Sequence, residues 1–580
     1  MILGFEYLGE GSYFISRIEY IAKKSGVKTE ILREGNFIYL RFEEKGDFLD
    51  NLEKFLYNSI FLKRVFVTDR FEGAKVLKLP FNVGFCPECF AQMIDPGSRR
   101  YYYPFTMCNS CGHHLSFLRA YPFKRERTLL DFLRPCEKCL EEYENSHERE
   151  ALELIGCGEC AVWIKLSDKK EKRVLYASKG KEFEEIFSIA AAALERGESV
   201  LVKTFRGYRR FFKEYKENSY ALVKSASAPF LMLETEKRAL FAIERPELYL
   251  TRDDGKVMPA CAVYDSWSAL LMSKISEDVI YFDHDTKEFD LKIDHELPLN
   301  FYRPIRLFLD KRRVLIKEGS ESLFPKRVSS SKSLIYGDFI QHEGIIDKID
   351  RFEEIKTEEL LVFRKEPVEH GNISYIDIGA SFIRNTARFY GLNEAIGLFF
   401  GSKLSLYHYK NGSSREIFEF SPPKFRGEKK VAVRFRERFP ERYGDFERES
   451  DYILKAARLM GFDGGREEFD LLSHNFGGKG GISIDCRLND KGFDWESFYS
   501  SVMSFVLAEA KQELLAYSIF ESLGEFLGVQ IGTLCKKRGV GEVVIAGGWI
   551  ANAPFLSRFG RHVREFRYPR NYPIESIVEV

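Results

Sequence analysis

Over residues 1 to about 75 the spacing of apolar positions switches between the two-residue period of a strand and the 3.6-residue period of a helix. The order it predicts is strand, helix, two strands, helix, strand. Ile15 to Lys24 carries a helical pattern, Phe37 to Phe42 alternates as a strand, and Phe48 to Leu56 returns to helix. Further on, Lys181 to Arg196 predicts an alanine-rich helix and Ser199 to Lys203 a strand. Near the carboxy end, Val543 to Ala546 reads as a buried strand running into Gly547 and Gly548, with Asn552 opening a helix. Such glycines let backbone approach a nucleotide; the plainer alternative is that they pack a strand against a helix. Lys203 to Lys216 interleaves basic and aromatic residues. Single-stranded nucleic acid can stack on such a run, but a solvated helix behind the strand is the preferred reading. Gly477-Gly-Lys-Gly-Gly481 is a flexible turn that lacks the Gly-x4-Gly-Lys-Ser/Thr order of a P-loop.

Length and charge narrow the classes. A chain of 580 residues has room for three to five domains with several cores. Lysine plus arginine equals aspartate plus glutamate, 88 each, so no global field draws nucleic acid or a membrane surface. Apolar runs such as Ile186 to Leu194 fall short of the ~20 residues that cross a bilayer. The amino terminus lacks a basic region with a cleavage site. The expectation is a cytoplasmic protein without membrane association. The 52 phenylalanines and 29 tyrosines read as large aromatic cores.

The cysteines carry the sharpest chemistry. Of 11 cysteines, eight form four Cys-x-x-Cys pairs: Cys86/Cys89, Cys108/Cys111, Cys136/Cys139 and Cys157/Cys160. Two thiolates three residues apart on a tight turn can share one metal ion. A second such turn about 20 residues on completes a tetrahedral shell. The spacing predicts two structural zinc ions, one on Cys86, Cys89, Cys108 and Cys111 and one on Cys136, Cys139, Cys157 and Cys160. Disulfides are the rival reading. They are disfavoured in a large chain of mixed charge with no secretory signal.

The residues between the cysteines go further. Cys86-Pro-Glu-Cys89 is followed by Asp95-Pro-Gly, Arg99-Arg100-Tyr101-Tyr102-Tyr103-Pro104-Phe105, Cys108-Asn-Ser-Cys111-Gly112 and Tyr121-Pro-Phe-Lys-Arg125-Glu-Arg-Thr128. This string resembles the double zinc ribbon of HypF-type carbamoyltransferases, which start cyanide-ligand synthesis for nickel–iron hydrogenases. His113-His114 replace the family's Pro-Arg. The resemblance implies a multidomain α+β and α/β chain. Its parts would be an acylphosphatase-like domain (1–75), a double zinc ribbon (76–165), a YrdC-like domain (166–300) and an actin-like carbamoyltransferase domain (301–580). It also implies ATP as a cofactor and a hydrogenase-maturation partner carrying an acceptor cysteine. The family's Gly-Gly-x-x-x-Asn site falls on Gly547, Gly548 and Asn552.

Departures from the family fall at each of its three active centres. In the first domain Ile15 stands where the phosphate-binding arginine belongs, and Thr29 to Leu32 lacks the water-positioning asparagine; Arg17 and Arg33 lie nearby, but neither has the required position. An isoleucine offers phosphate no donor, so acyl-phosphate hydrolysis is expected to be lost. In the second, Lys203 is kept, but Thr204-Phe205-Arg206-Gly207-Tyr208 replaces the Gly-Gly-Phe-His turn and Ala228-Pro-Phe loses a lysine. In the third, Ser381 to Arg388 has no histidine where the family binds a metal, and Phe400-Gly-Ser-Lys403 replaces a phosphate turn. Ile335-Tyr-Gly-Asp338 and Asn571-Tyr-Pro-Ile stand at two further family turns. Two functions follow: carbamoyl transfer in hydrogenase maturation, or a catalytically degenerate paralogue that binds nucleotide or docks a partner.

Overall fold

The protein is described by a computed structural model over residues 1–9, 11–44, 46–75, 80–119, 123–172, 174–310, 313–318, 326–328, 333–335, 351–356, 361–366, 378–401, 403–420, 425–489, 492–570 and 574. Tyr336 to Asp338 and Asn571 to Pro573 lie outside these residues. Compactness divides the chain into two units: residues 1–250, 258–306 and 319–374, and residues 251–257, 307–318 and 375–580.

The first unit opens in the predicted order: β1 (Ile2–Tyr7), α1 (Tyr13–Lys24), β2 (Thr29–Glu34), β3 (Phe37–Phe42), α2 (Gly46–Phe55) and β4 (Leu62–Val67), with a short β5 (Ala74–Lys75). The strands form an antiparallel sheet in the order β4-β1-β3-β2-β5. Leu3, Phe5 and Tyr7 of β1 are buried, as the two-residue period requires. Phe14 of α1 meets Phe5 and Tyr7, and Phe48 of α2 meets Phe42, so both helices cover one face of the sheet.

Two short helices follow, α3 (Pro87–Ile94) and α4 (Glu137–Asn145). Each begins inside a Cys-x-x-Cys pair, with Cys86 and Cys136 as the N-cap residues. Beyond them a larger mixed sheet is built around Val200–Thr204, which lies parallel to Leu291–Asp294 and antiparallel to Gly207–Phe212. The sheet continues through Val279–Asp283 and Tyr220–Val223 to Val257–Ala262 on one side and through Ile164–Asp168 to Val174–Ala177 on the other. The predicted helix over 181–196 is found at Lys181–Glu195 and buries Phe183, Ile186 and Phe187. The helix expected within Lys203 to Lys216 is instead the strand Gly207–Phe212. Its side chains alternate between core and surface, and Arg210 pairs with Asp283 and Asp285. Charge density alone misreads such a strand, because its cations are held by neighbouring strands.

The second unit has a sheet in which Glu394–Phe400 lies between antiparallel Leu404–Lys410 and parallel Val543–Ala546, with Ser413–Glu419 at one edge. The helix Gln512–Arg538 packs on the helix Ala553–His562 through glycines. A Cβ on Gly524 would lie 2.4 Å from the Phe555 carbonyl oxygen, so the backbones could not approach as they do. By length and composition Gln512–Arg538 could cross a membrane, unlike any apolar run in the bare sequence. However, 61% of its apolar window is buried inside the protein, as in a core helix.

Candidate metal centres and the neighbouring sites

The four pairs meet as two groups of four, Cys86/Cys89/Cys108/Cys111 and Cys136/Cys139/Cys157/Cys160, with the sulfurs of each within 4.8 Å of one another. Individual separations are 3.9 Å for Cys86–Cys108 and 3.5 Å for Cys108–Cys111 in the first group. In the second they are 3.8 Å for Cys136–Cys157, Cys157–Cys160 and Cys139–Cys160. A tetrahedron with Zn–S bonds of about 2.3 Å has edges of about 3.8 Å. A disulfide needs about 2.05 Å. All 11 cysteines are free thiols. The donor set fits tetrahedral zinc in both groups. Among the described residues no other cluster of His, Cys, Asp or Glu has ligand geometry.

Four thiolates on one Zn²⁺ carry a net charge of −2, which burial makes costly unless cations and N–H donors lie beside it. Arg99 donates from Nη1 to the sulfurs of Cys136 (3.5 Å), Cys139 (3.5 Å) and Cys157 (3.3 Å). Arg149, almost wholly buried, donates from Nη2 to Cys89 (3.4 Å) and Gln92 (2.9 Å) and from Nε to the Met107 carbonyl (2.9 Å). Arg100 and Arg99 both pair with Glu142. The aromatics after them point elsewhere. Tyr102 packs on Phe187, Tyr103 on Phe183 and Phe105 on Trp267, joining the ribbons to the core of the larger sheet. His114 stacks on Phe81 and bonds through Nε2 with the carbonyls of Cys108 (2.9 Å) and Cys111 (3.1 Å); burial lowers its pKa to about 4. His113 stacks on Phe205 at 4.3 Å and bonds the Tyr302 hydroxyl. The exchange of Pro-Arg for His-His thus adds two neutral rings that lock the ribbon in place.

Arg17 is 2% exposed and bidentate to Glu88, the glutamate of Cys-Pro-Glu-Cys, at 3.0 and 2.8 Å. Its Nε donates to the Phe55 carbonyl, and its guanidinium lies over Tyr20 and Tyr57. Burial would raise the Glu88 carboxyl, but the bonds and charge of Arg17 hold it below the ordinary value. Ile15 is buried in the core of the first domain. Beside them Tyr13, Ser59 and the Ile60 amide all donate to the buried carboxylate of Glu244, whose pKa burial raises. No local sequence signal marks Glu244, because its donors lie far away in the chain.

In the larger sheet, Lys203 donates to the His295 carbonyl at 2.9 Å and lies 3.6 Å from Asp294. Arg206 is buried between Tyr264 and Tyr302 and donates to the Arg245 carbonyl. In the second unit Gly547 has φ +102°, and a Cβ there would lie 2.4 Å from the Phe400 carbonyl carbon. Gly548 is buried. The Asn552 amide donates to Asp470 (2.7 Å) and Ser473 (2.8 Å), and its oxygen accepts from the Phe555 amide as an N-cap. Burial would raise Asp470, but Lys317 at 2.5 Å, His474 and Asn552 hold it low. Lys403 pairs with Glu416, and Arg388 bonds the Gly412 carbonyl. His408 pairs with Glu394, whereas His342 and His370 lie outside the described residues.

Residues 85–118 match the model of the HypF finger. The chain is 27% identical over 201 residues to carbamoyltransferase HypF of Rhodobacter capsulatus, covering 32% of this chain and 25% of that protein. It is 25% identical over 137 residues to the probable carbamoyltransferase HypF of Methanocaldococcus jannaschii, covering 20% and 18%. The aligned stretches therefore span a quarter or less of those relatives' lengths. Among solved structures, full-length HypF in its phosphate- and nucleotide-bound form superposes with a TM-score of 0.62 at 14% identity, over 99% of this chain and 96% of that one. HypF of T. kodakarensis gives 0.65 at 13% identity, over 99% and 97%. These likenesses carry the fold, and the expected fold class is borne out. Finger, partial relatives and fold all point the same way: the chain carries a HypF finger at residues 85–118 and, over nearly its whole length, is similar in fold to full-length HypF.

Proposed function

We propose that this protein acts in carbamoyl transfer for nickel–iron hydrogenase maturation. It would hold two structural zinc ions and pass a carbamoyl group, with ATP, to an acceptor cysteine of a partner protein in a reducing cytoplasm. The observation that carries the reading is the HypF finger, with both four-cysteine groups at zinc geometry, set within a chain of full-length HypF fold. Domains are assigned at 1–75, 76–165, 166–300 and 301–580. The family resemblance puts the nucleotide beside Gly547, Gly548 and Asn552; in this chain Gly547 already packs its backbone against Phe400, and Asn552 caps the following helix and bonds Asp470.

The acyl-phosphate step is the one this chain is proposed to lack. Arg17 is bound to Glu88 and Ile15 is buried, so neither can fork onto a phosphate. A specific observation favours a second reading, the degenerate scaffold: Lys203 and Asn552 are also engaged by the protein's own groups. One assay separates the readings. ATP cleavage is measured on the full chain with carbamoyl phosphate and, separately, with carbamate formed from ammonia and bicarbonate. Cleavage with carbamate alone supports transfer with the first step lost, and cleavage with carbamoyl phosphate restores the first step. No cleavage with either, together with retained ATP binding by calorimetry, leaves only the scaffold.

A further inference from the structure

The two cysteine groups are braced crosswise. Arg99 lies in the first ribbon, between Cys89 and Cys108, yet its guanidinium touches the sulfurs of Cys136, Cys139 and Cys157 in the second. Arg149 lies in the second ribbon, between Cys139 and Cys157, yet it touches Cys89 in the first. Backbone bonds interlock the same loops. The Gly158 amide donates to the Arg99 carbonyl (2.8 Å) and the Asn109 amide to the Glu148 carbonyl (3.0 Å). The Asn109 side chain donates to the Glu150 carbonyl (2.7 Å), and Arg100 Nε to the Gly156 carbonyl (3.2 Å).

We propose that the two centres load zinc cooperatively, each ion ordering the loop that carries the other centre's guanidinium. Tyr102, Tyr103 and Phe105 seat one end of the first loop on the larger sheet, and the metal fixes the cysteine turns at its ends. Filling the first centre thus completes the ordering of the loop and sets Arg99 against the second centre's thiolates. Filling the second fixes residues 140–156 and sets Arg149 against Cys89. By linkage the coupling is equal in both directions. Outer-sphere partners of this kind are worth about 10- to 100-fold in metal affinity. The inference rests on the reading that both groups bind zinc.

The test withdraws zinc stepwise from the full chain with a chelator and counts chains holding two, one and no ions by native mass spectrometry. Independent centres, equal or unequal, leave at least half of the chains with one ion at half loading. Coupling of about 10- to 100-fold cuts that share to about a quarter or a tenth. Arg149→Met should raise the one-ion form, with zinc retained at the second centre as read by protection of Cys136, Cys139, Cys157 and Cys160 from alkylation. Arg99→Met should give the mirror image, and Arg149→Lys, which keeps the charge but not the fork, should fall between. If a variant fails to fold, the wild-type distribution decides alone. A one-ion share of half or more overturns the coupling while leaving the zinc sites standing. A chain that holds no zinc overturns both.

Discussion

Glu88→Gln tests whether the glutamate of Cys-Pro-Glu-Cys exists to hold Arg17. The change leaves the cysteines in place and removes only the negative charge from a bidentate pair whose cation is 2% exposed. Removing one partner of a buried pair costs about 3–5 kcal/mol, mostly through the charge left behind. Here the low end applies, about 3 kcal/mol, because the Phe55 carbonyl and the faces of Tyr20 and Tyr57 still solvate the guanidinium. That equals about a 150-fold rise in the opening of α1 from the first ribbon, at 1.4 kcal/mol per tenfold. A chain of several domains has no single unfolding free energy, so the assay is native-state hydrogen exchange across residues 13–24. Exchange there should accelerate by about two orders of magnitude at pH 7, with zinc content unchanged. The pH dependence has a fixed sign. The Glu88 carboxyl is depressed in the folded protein, so its contribution is present above the unfolded value of about 4.3 and is lost as pH falls through the lower folded value. Wild type and variant should therefore converge in acid. Equal exchange at neutral pH, or a gap that persists in acid, would show that the pair does not anchor α1.

X-ray absorption should give two zinc ions per chain, each with four sulfurs at about 2.3 Å, and Cys89→Ser should lose one ion; sulfur–sulfur scattering at disulfide distance would contradict the centres. The full chain should release no phosphate from acetyl phosphate, and Ile15→Arg should gain none while losing stability, because it buries an unpaired cation in the first domain's core. Gly548→Val should abolish ATP binding by calorimetry while the chain stays soluble, and unchanged binding would move the nucleotide elsewhere. Asn552→Ala should loosen the helix Ala553–His562 by about 2–4 kcal/mol, read by native-state hydrogen exchange across that helix, since it removes an N-cap and leaves Asp470 and Ser473 short of a donor.

The parts legible in the sequence are those set by neighbours along the chain. The two cysteine groups were readable because two thiolates three residues apart reach one ion on any tight turn, and the four pairs meet as two groups of four. The element order over residues 1–75 followed from apolar period alone, with boundaries at α1 and α2 off by two residues. Charge patterning misled at Gly207–Phe212, where the basic and aromatic run read as a solvated helix until strand neighbours paired the charges.

Only the tertiary structure decided what the charged side chains do. Arg17 was a nearby cation without the position a phosphate site requires, and folding set it on Glu88, 71 residues away in sequence. Nothing local along the chain assigned Arg99 or Arg149 a partner, yet each crosses to the other ribbon, 58 and 60 residues away for Cys157 and Cys89. Glu244 gave no signal at all until Tyr13 and Ser59 were brought to it. The physical reason is common to these cases. A metal ligand set needs only local geometry, whereas a buried charge is satisfied by whichever donors the packing of distant loops delivers, and no period along the chain encodes that meeting.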